Sequence, residues 1–329
     1  MKIAIIGSGT WGTALARVLY NQGNEVYLYS VFKQDADELN RTHKHKNLPG
    51  MIIPEGIVIS NDAKISIDNA DYVLLATPSI YIRSTLMSIK EYINDNQIII
   101  NVAKGIEADT LYTISDIINE LLPNNEVVVL SGPTHAEEVA LDKTTTIVSA
   151  CDDLKIANDV ARLFEGSCIR AYTNNDVLGV EICGALKNVI ALAAGISSGI
   201  GDGDNAKAAI ITRGVVEIAR LGKAMGADPS TFNGLVGIGD LIVTATSKHS
   251  RNNRCGYLIG QGYTPEEAKK EIGMVVEGIN SLSAAVTLAN KYNVYMPITN
   301  AVNEIINNNK DPKEILVQLM NRPSKHELD

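Results

Sequence analysis

The chain is short of aromatic residues, with three Phe and one Trp among 329 residues, and it carries only four Cys. Cys151, Cys168, Cys183 and Cys255 form no CxxC pair and no zinc-like grouping with histidine, so neither a disulfide framework nor a structural metal is the expected basis of the fold. They read as reduced thiols in a reducing compartment. Positive charge is in deficit: 29 Lys and Arg against 38 Asp and Glu leave a net charge of -9. That balance disfavours nucleic acid or an anionic membrane surface as partner, because both demand a positive field; an anionic ligand has to be captured locally. The apolar run in MKIAIIGSG is far too short for a signal h-region, and no later run is read as approaching the roughly 18 residues of a membrane span. A cytoplasmic protein without membrane insertion is expected.

What is present is the composition of an ordinary soluble protein, 45% hydrophobic and 20% charged, on a chain long enough for two domains with large cores. Up to about residue 174, short runs rich in Ile and Val recur between helical patterns: Lys2 to Ile6, Glu25 to Ser30, Tyr72 to Ala76, Gln97 to Val102, Glu126 to Leu130 and Thr145 to Ala150. Near-continuous apolar runs of this kind fit strands covered on both faces, and their alternation with helices predicts a mainly parallel, doubly wound α/β sheet. After Asn174 the pattern becomes helical, with long segments over Asp176 to Ile196, Asn205 to Met225 and Gly278 to Tyr292. Thr264 and Asp311 each precede Pro and, three residues on, Glu, which marks two further helix starts. The expected division is 1–174, a dinucleotide-binding Rossmann-like domain, and 175–329, an all-α substrate domain. The Gly-rich stretch GISSGIGDGDN, between two of these helices, reads either as a mobile loop or as a loop lining a ligand site.

Gly7, Gly9 and Gly12 stand in GxGxxG spacing directly after the first strand and directly before a helix. Gly7 permits the tight turn, Gly9 lets backbone approach a pyrophosphate, and Gly12 allows close helix packing, while free N–H groups at the helix start face the phosphates. At the end of the second strand an acid binds the ribose 2'-hydroxyl of NAD and a cation accepts the 2'-phosphate of NADP. Ser30, Val31, Phe32 and Lys33 supply no acid and one cation, so the balance leans to NADP(H) with NAD, or both, left open.

The helical run EICGALKNVIALAAG carries Lys187 near its middle. Wound at 100° per residue, Cys183, Gly184, Ala191, Ala194 and Gly195 share its side, and Leu178, Ile182, Val189 and Leu192 fall opposite. Lys187 is therefore expected to point into a cavity left by small residues, where desolvation would lower its pKa and let it move a proton near neutral pH; the alternative is a snorkelling lysine. Further along, Asp240 is followed by Ser250, Arg251, Asn252 and Arg254, which read as a local anion site in an acidic chain, the alternative being a solvated loop. Lys104 in NVAKGIE, and Gly132, Thr134 and Ala136 in SGPTHAEEVA, follow strands at the edge where open α/β sheets bind ligands. His135 is a further acid–base candidate, ranked below Lys187.

Taken together, GSGTWGTALA, NVAKGIE, SGPTHAEEVA, EICGALKNVIALAAGI, GIGDLIVTATSKHSRNNRCG and VVEGINS resemble the bacterial NAD(P)-dependent glycerol-3-phosphate dehydrogenases, in family order from Gly7 to Ser281. The resemblance implies reversible NAD(P)H-dependent reduction of dihydroxyacetone phosphate to sn-glycerol 3-phosphate for phospholipid synthesis, with no metal, in a homodimer. It makes Lys187 the catalytic proton donor and acceptor, assisted by Asp240 and Lys104, and has Lys104 touch both substrate and cofactor. Gly132, Thr134, Asp240, Ser250, Arg251 and Asn252 would form the substrate site, with Arg251 and Asn252 nearest the phosphate. Thr10, Trp11, Ala136, Arg251, Val275 and Glu277 would line the cofactor. Two departures stand out: Val31 and Phe32 replace an arginine common after the second strand, and Thr134 replaces a common serine with its hydroxyl kept. The rival readings are a related two-domain dehydrogenase for another hydroxy acid or phosphorylated alcohol, and a nicotinamide-sensing module without catalysis.

Overall fold

The computed structural model describes residues 1–324 and 326; residues 325 and 327–329, at the end of the expected second domain, lie outside the described residues. One sheet contains β1 (Lys2–Ile6), β2 (Glu25–Tyr29), β3 (Val58–Ser60), β4 (Tyr72–Leu75), β5 (Ile98–Asn101), β6 (Val127–Ser131), β7 (Thr145–Ala150) and β8 (Ile169–Asn174). The strand order is β3-β2-β1-β4-β5-β6-β7-β8. The six strands expected from apolar runs are all present. β3 lies in the short apolar run Ile57-Val58-Ile59, which the sequence reading passed over, and β8, with three of its six residues exposed, offered no apolar run to read. Every pairing is parallel except β6 with β7, where Val129 pairs with Ala150 and Ser131 with Val148 in antiparallel register.

Between the strands lie α1 (Thr10–Asn21), α2 (Lys33–Thr42), α3 (Ala63–Ile67), α4 (Ile82–Ile89), α5 (Ile114–Leu121), α6 (Ala136–Val139) and α7 (Leu154–Arg162). Strands β1 and β4 are wholly or nearly wholly buried because helices cover both faces of the sheet. The chain leaves β1 toward β2 and β3, then returns to the other side of β1 as β4. That reversal opens a crevice beyond the carboxyl ends of β1 and β4, where ligands of open α/β sheets bind.

The rest is helical: α8 (Val177–Gly199), α9 (Asp204–Met225), α10 (Asp240–Thr246), α11 (Arg251–Gly260), α12 (Pro265–Ile272), α13 (Glu277–Lys291), α14 (Pro297–Ile306) and α15 (Pro312–Met320). The two helix starts read from Thr264 and Asp311 are those of α12 and α15; Thr264 and Glu267 complete a reciprocal capping box, and Asp311 accepts from Lys313 and Glu314 N–H. Helix α8 is the hub of this C-terminal domain, and its apolar residues share one core with Val129, Val148 and Ala150 of the sheet. It also corrects a sequence expectation, since despite Glu181 and Lys187 its 23 residues are long enough, and on average apolar enough, to cross a bilayer. Gly179 through Ser197 are all buried inside the protein, so α8 is a core helix.

The division of α8 into a core face and a ligand face needs a second correction. No face of it meets solvent, and its small residues do two different jobs. A Cβ added to Gly195 would lie 2.1 Å from Asn253 O, and one added to Gly256 of α11 would lie 2.2 Å from Leu192 O. These glycines let α8 and α11 cross in backbone contact. Gly184, by contrast, faces Lys104, and an added Cβ there would lie 3.4 Å from Lys104 Cγ. The Gly-rich stretch is likewise mostly helix, because α8 runs through Gly199 and α9 resumes at Asp204.

Candidate active site

The glycine loop at the end of β1 has the backbone its spacing implies. Gly7 has φ 121°, and a Cβ on Gly12 would fall 2.0 Å from Gly7 O, so both positions require glycine. A Cβ on Gly9 meets nothing within 4 Å, so what Gly9 keeps clear is space outside the protein. Helix α1 begins there with no side-chain cap and no acid in its first turn. Its first N–H groups are thus left for an external acceptor, which fits a dinucleotide pyrophosphate. Thr10 and Trp11 are half-buried beside this opening.

Beyond β2 the hydroxyl of Ser8 donates to Ser30 Oγ, and Asn61 Nδ2 donates to the carbonyls of Ser30 and Val31. Val31 and Phe32 are exposed. Lys33 opens α2 and lines a polar cavity of about 630 Å³ with Asp37, Asn40, Asp62 and Tyr92.

A buried carboxylate between two amines forms the centre of the second cluster. Asp240, 1% exposed, accepts from Lys104 Nζ at 2.7 Å through one oxygen and from Lys187 Nζ through the other. Lys187 Nζ also reaches Thr244 Oγ1 at 2.7 Å, and Lys104 Nζ reaches Gly132 O at 3.0 Å. Thr134 Oγ1 donates to the same Gly132 carbonyl at 3.1 Å. Asp240 sits at the first turn of α10 because Leu235–Gly239 is wound as one wide π turn leading into it. Lys104, Gly132, Thr134, Lys187 and Asp240 are thus connected by direct hydrogen bonds, although they come from widely separated stretches of chain.

Burial lowers the Lys187 ammonium to about 7, and Lys104 adds to the effect, against the pull of Asp240. Asp240 is itself pushed up by burial, but the Lys104 and Lys187 ammoniums outweigh that and hold it below the usual carboxylate range. The cluster therefore carries two amines for one firmly ionised acid. Lys187 is the member able to give up its proton near neutral pH.

Arg251 begins α11, with Ser250 as its cap accepting from Asn253 N–H at 3.2 Å. Among the described residues Arg251 has no acidic partner or hydrogen bond to its side chain. Asn252 is more committed than its place in the sequence suggests: its Nδ2 donates to Asn188 Oδ1 at 2.9 Å and its Oδ1 accepts from Gly278 N–H at 2.9 Å. Since Asn188 follows Lys187, this bond pins the start of α11 beside the amine cluster. Glu277 is also occupied, accepting from Ser79 N–H at 3.1 Å and Ser79 Oγ at 2.6 Å. Ala136 is the buried first residue of α6, and half-buried Val275 stands two residues before Glu277.

Thr244, Asn188, Ser79 and Glu181 escaped the sequence reading. Thr244 had a signal, four residues after Asp240 and so on the same helical face. Asn188 and Ser79 had none, being neutral and remote in sequence from their partners. Glu181 accepts from Ser115 N–H at 3.0 Å and ties α8 to the start of α5.

A glycine-loop sheet, a buried amine set to exchange a proton and an uncommitted arginine at a helix start beside it define a nicotinamide-dependent dehydrogenase with a helical C-terminal domain. Models of the N-terminus and C-terminus of NAD-dependent glycerol-3-phosphate dehydrogenase match residues 2–157 and 176–317. The chain belongs to that family. It is 54% identical to glycerol-3-phosphate dehydrogenase (NAD(P)+) 2 of Lactobacillus delbrueckii subsp. bulgaricus, over 99% of each chain. It is 51% identical to the Fusobacterium nucleatum enzyme glycerol-3-phosphate dehydrogenase (NAD(P)+), over 100% of this chain and 99% of the other. The crystal structure of glycerol-3-phosphate dehydrogenase from Coxiella burnetii superposes with a TM-score of 0.93 at 35% identity, covering 97% of this chain and 98% of that one.

Proposed function

We propose that this chain reduces dihydroxyacetone phosphate to sn-glycerol 3-phosphate with NADH or NADPH, reversibly, and that Lys187 is the group that moves the proton. The observation that carries the assignment of Lys187 is its burial against Asp240 and Thr244, which holds one amine proton in place yet leaves it weakly bound. A bound nicotinamide supplies or accepts the hydride. Protonated Lys187 stabilises the charge that develops on the ketone oxygen and donates its proton; neutral Lys187 removes the hydroxyl proton in reverse. Asp240 aims Lys187 and balances its charge, and Lys104, held by Asp240 and the Gly132 carbonyl, adds a second cation beside the oxygen.

At the other end Arg251 and the unpaired N–H groups at the start of α11 would take the phosphate, with Ser250, Asn252 and Thr134 at its edges. On the cofactor side, Gly7, Gly9, Thr10, Trp11 and Gly12 would take the pyrophosphate, and Ala136, Val275 and Lys33 its flanks. Glu277 contributes through Ser79, whose loop it fixes. We assign residues 1–174 to the dinucleotide domain and 175–329 to the substrate domain, in a cytoplasmic homodimer. The test is nicotinamide absorbance with dihydroxyacetone phosphate and NADH or NADPH. Reduction should slow as pH rises through about 7 and oxidation should quicken; turnover of another ketone alone would refute the substrate assignment. Sedimentation at assay concentration checks the dimer.

A further inference from the structure

His135 lies between β6 and α6, next to Thr134. Its Nε2 is sealed from solvent and has no hydrogen-bond partner, a costly state for a ring nitrogen unless something from outside the chain completes it. The ring of His249 packs against it, with centroids 5.7 Å apart and planes tilted by 56°. His249 directly precedes Ser250, the residue that caps α11. The Lys187 ammonium is near enough to disfavour a charge on the same imidazole. His135 is thus near both the amine proposed for the ketone and the residue that precedes the cap of the helix start proposed for the phosphate.

We propose that His135 is a substrate-phosphate ligand, its Nε2 donating to the monoester held from the other side by Arg251, with His249 fixing the ring at the start of α11. The proposal rests on the reading of that helix start as the phosphate site. The phosphate end is favoured over the carbonyl end because the ring is packed on a residue adjoining the α11 cap, whereas Lys187 is already bonded by Asp240 and Thr244.

A neutral donor suits this position. Lys104, Lys187 and Arg251 already supply three cations to the proposed site, and a fourth fixed one would add repulsion before substrate arrives. Burial holds the His135 imidazole below its ordinary value; Glu137 and Glu138 pull it upward, and Lys187 and His249 push it down. The ring thus offers an N–H without adding charge, and can take up a proton when a dianion binds.

The experiment compares wild type, His135→Ala and His135→Gln on dihydroxyacetone phosphate and on phosphate-free dihydroxyacetone. His135→Ala should raise KM for the phosphorylated ketone about tenfold, the loss of one charge-assisted hydrogen bond. It should weaken competitive inhibition by inorganic phosphate similarly and change kcat/KM for dihydroxyacetone less than about twofold. His135→Gln, whose amide nitrogen reaches the place of Nε2, should recover most of the loss. An unchanged KM, or equal losses with both ketones, overturns the proposal. Arg251→Ala run alongside separates the two ideas: a phosphate-specific loss there with none at His135 removes only His135, whereas no loss at Arg251 removes the phosphate site itself.

Discussion

Asp240, held against α8 by Lys187, and Glu181, on α8 itself, are both sealed carboxylates, 1% and 6% exposed, and burial pushes both upward. They end on opposite sides of the ordinary range. Two ammoniums face Asp240 and keep it ionised. Glu181 is surrounded by the Thr113 and Ser115 hydroxyls and the Ser115 N–H, which oppose burial too weakly, and it is pushed up to about 7. Its second oxygen has no partner. A sealed acid is therefore not a functional marker in itself; the formal charge of its partners decides whether it holds a reactive amine or only ties two elements together.

The comparison breaks first at Lys187. Lys187→Ala should cut turnover about 10³-fold, within the range for loss of a positioned acid, while cofactor affinity changes less than about twofold. Stopped-flow hydride transfer and a cofactor titration measure the two separately, and an active variant would return Lys187 to the status of a core lysine. Asp240→Asn comes next. It leaves Lys187 facing the partly buried Lys104 ammonium and removes the influence that raises Lys187, so the proton affinity of Lys187 falls below about 7. Turnover at neutral pH should fall about 100-fold and the limb of the reduction profile should move to lower pH. A limb that stays in place would show that Asp240 does not govern Lys187. Arg251→Ala should raise KM for dihydroxyacetone phosphate roughly 10- to 100-fold with a smaller effect on kcat, the scale of one lost charged hydrogen-bond donor.

How much of this could be read in the chain follows from how local each cause is. The sheet strands and the glycine loop declare themselves within a few residues, because two-sided burial needs unbroken apolar runs and positive φ needs Gly7. Lys187 was legible as a polar break in an apolar helix. Its setting was not: the winding argument assumed that a stripe of small residues faces a ligand, whereas Gly195 and Gly199 serve backbone contact with α11. The same limit hid β8, whose exposed residues leave no apolar run, and Asn188, whose role exists only once α11 is laid across α8. It also made Asn252 and Glu277 look freer than they are.

Glu181→Gln gives the smallest and most discriminating effect. A folded pKa of about 7, above the ordinary 4.5, means that the folded state holds a proton which the unfolded chain releases earlier. The stabilisation linked to that proton is complete below about pH 4.5 and is lost as pH rises through about 7. Gln carries no such dependence. Urea denaturation at pH 5 and pH 8 should therefore show the variant gaining on wild type by about 2–3 kcal/mol between the two, since each tenfold difference in proton affinity corresponds to about 1.4 kcal/mol. Turnover at pH 7 should change less than about threefold, since Glu181 holds α8 to α5 and touches neither lysine. A constant gap between the two stability curves would mean that Glu181 is ionised in the fold, and the contrast with Asp240 would then lie in geometry and not in charge.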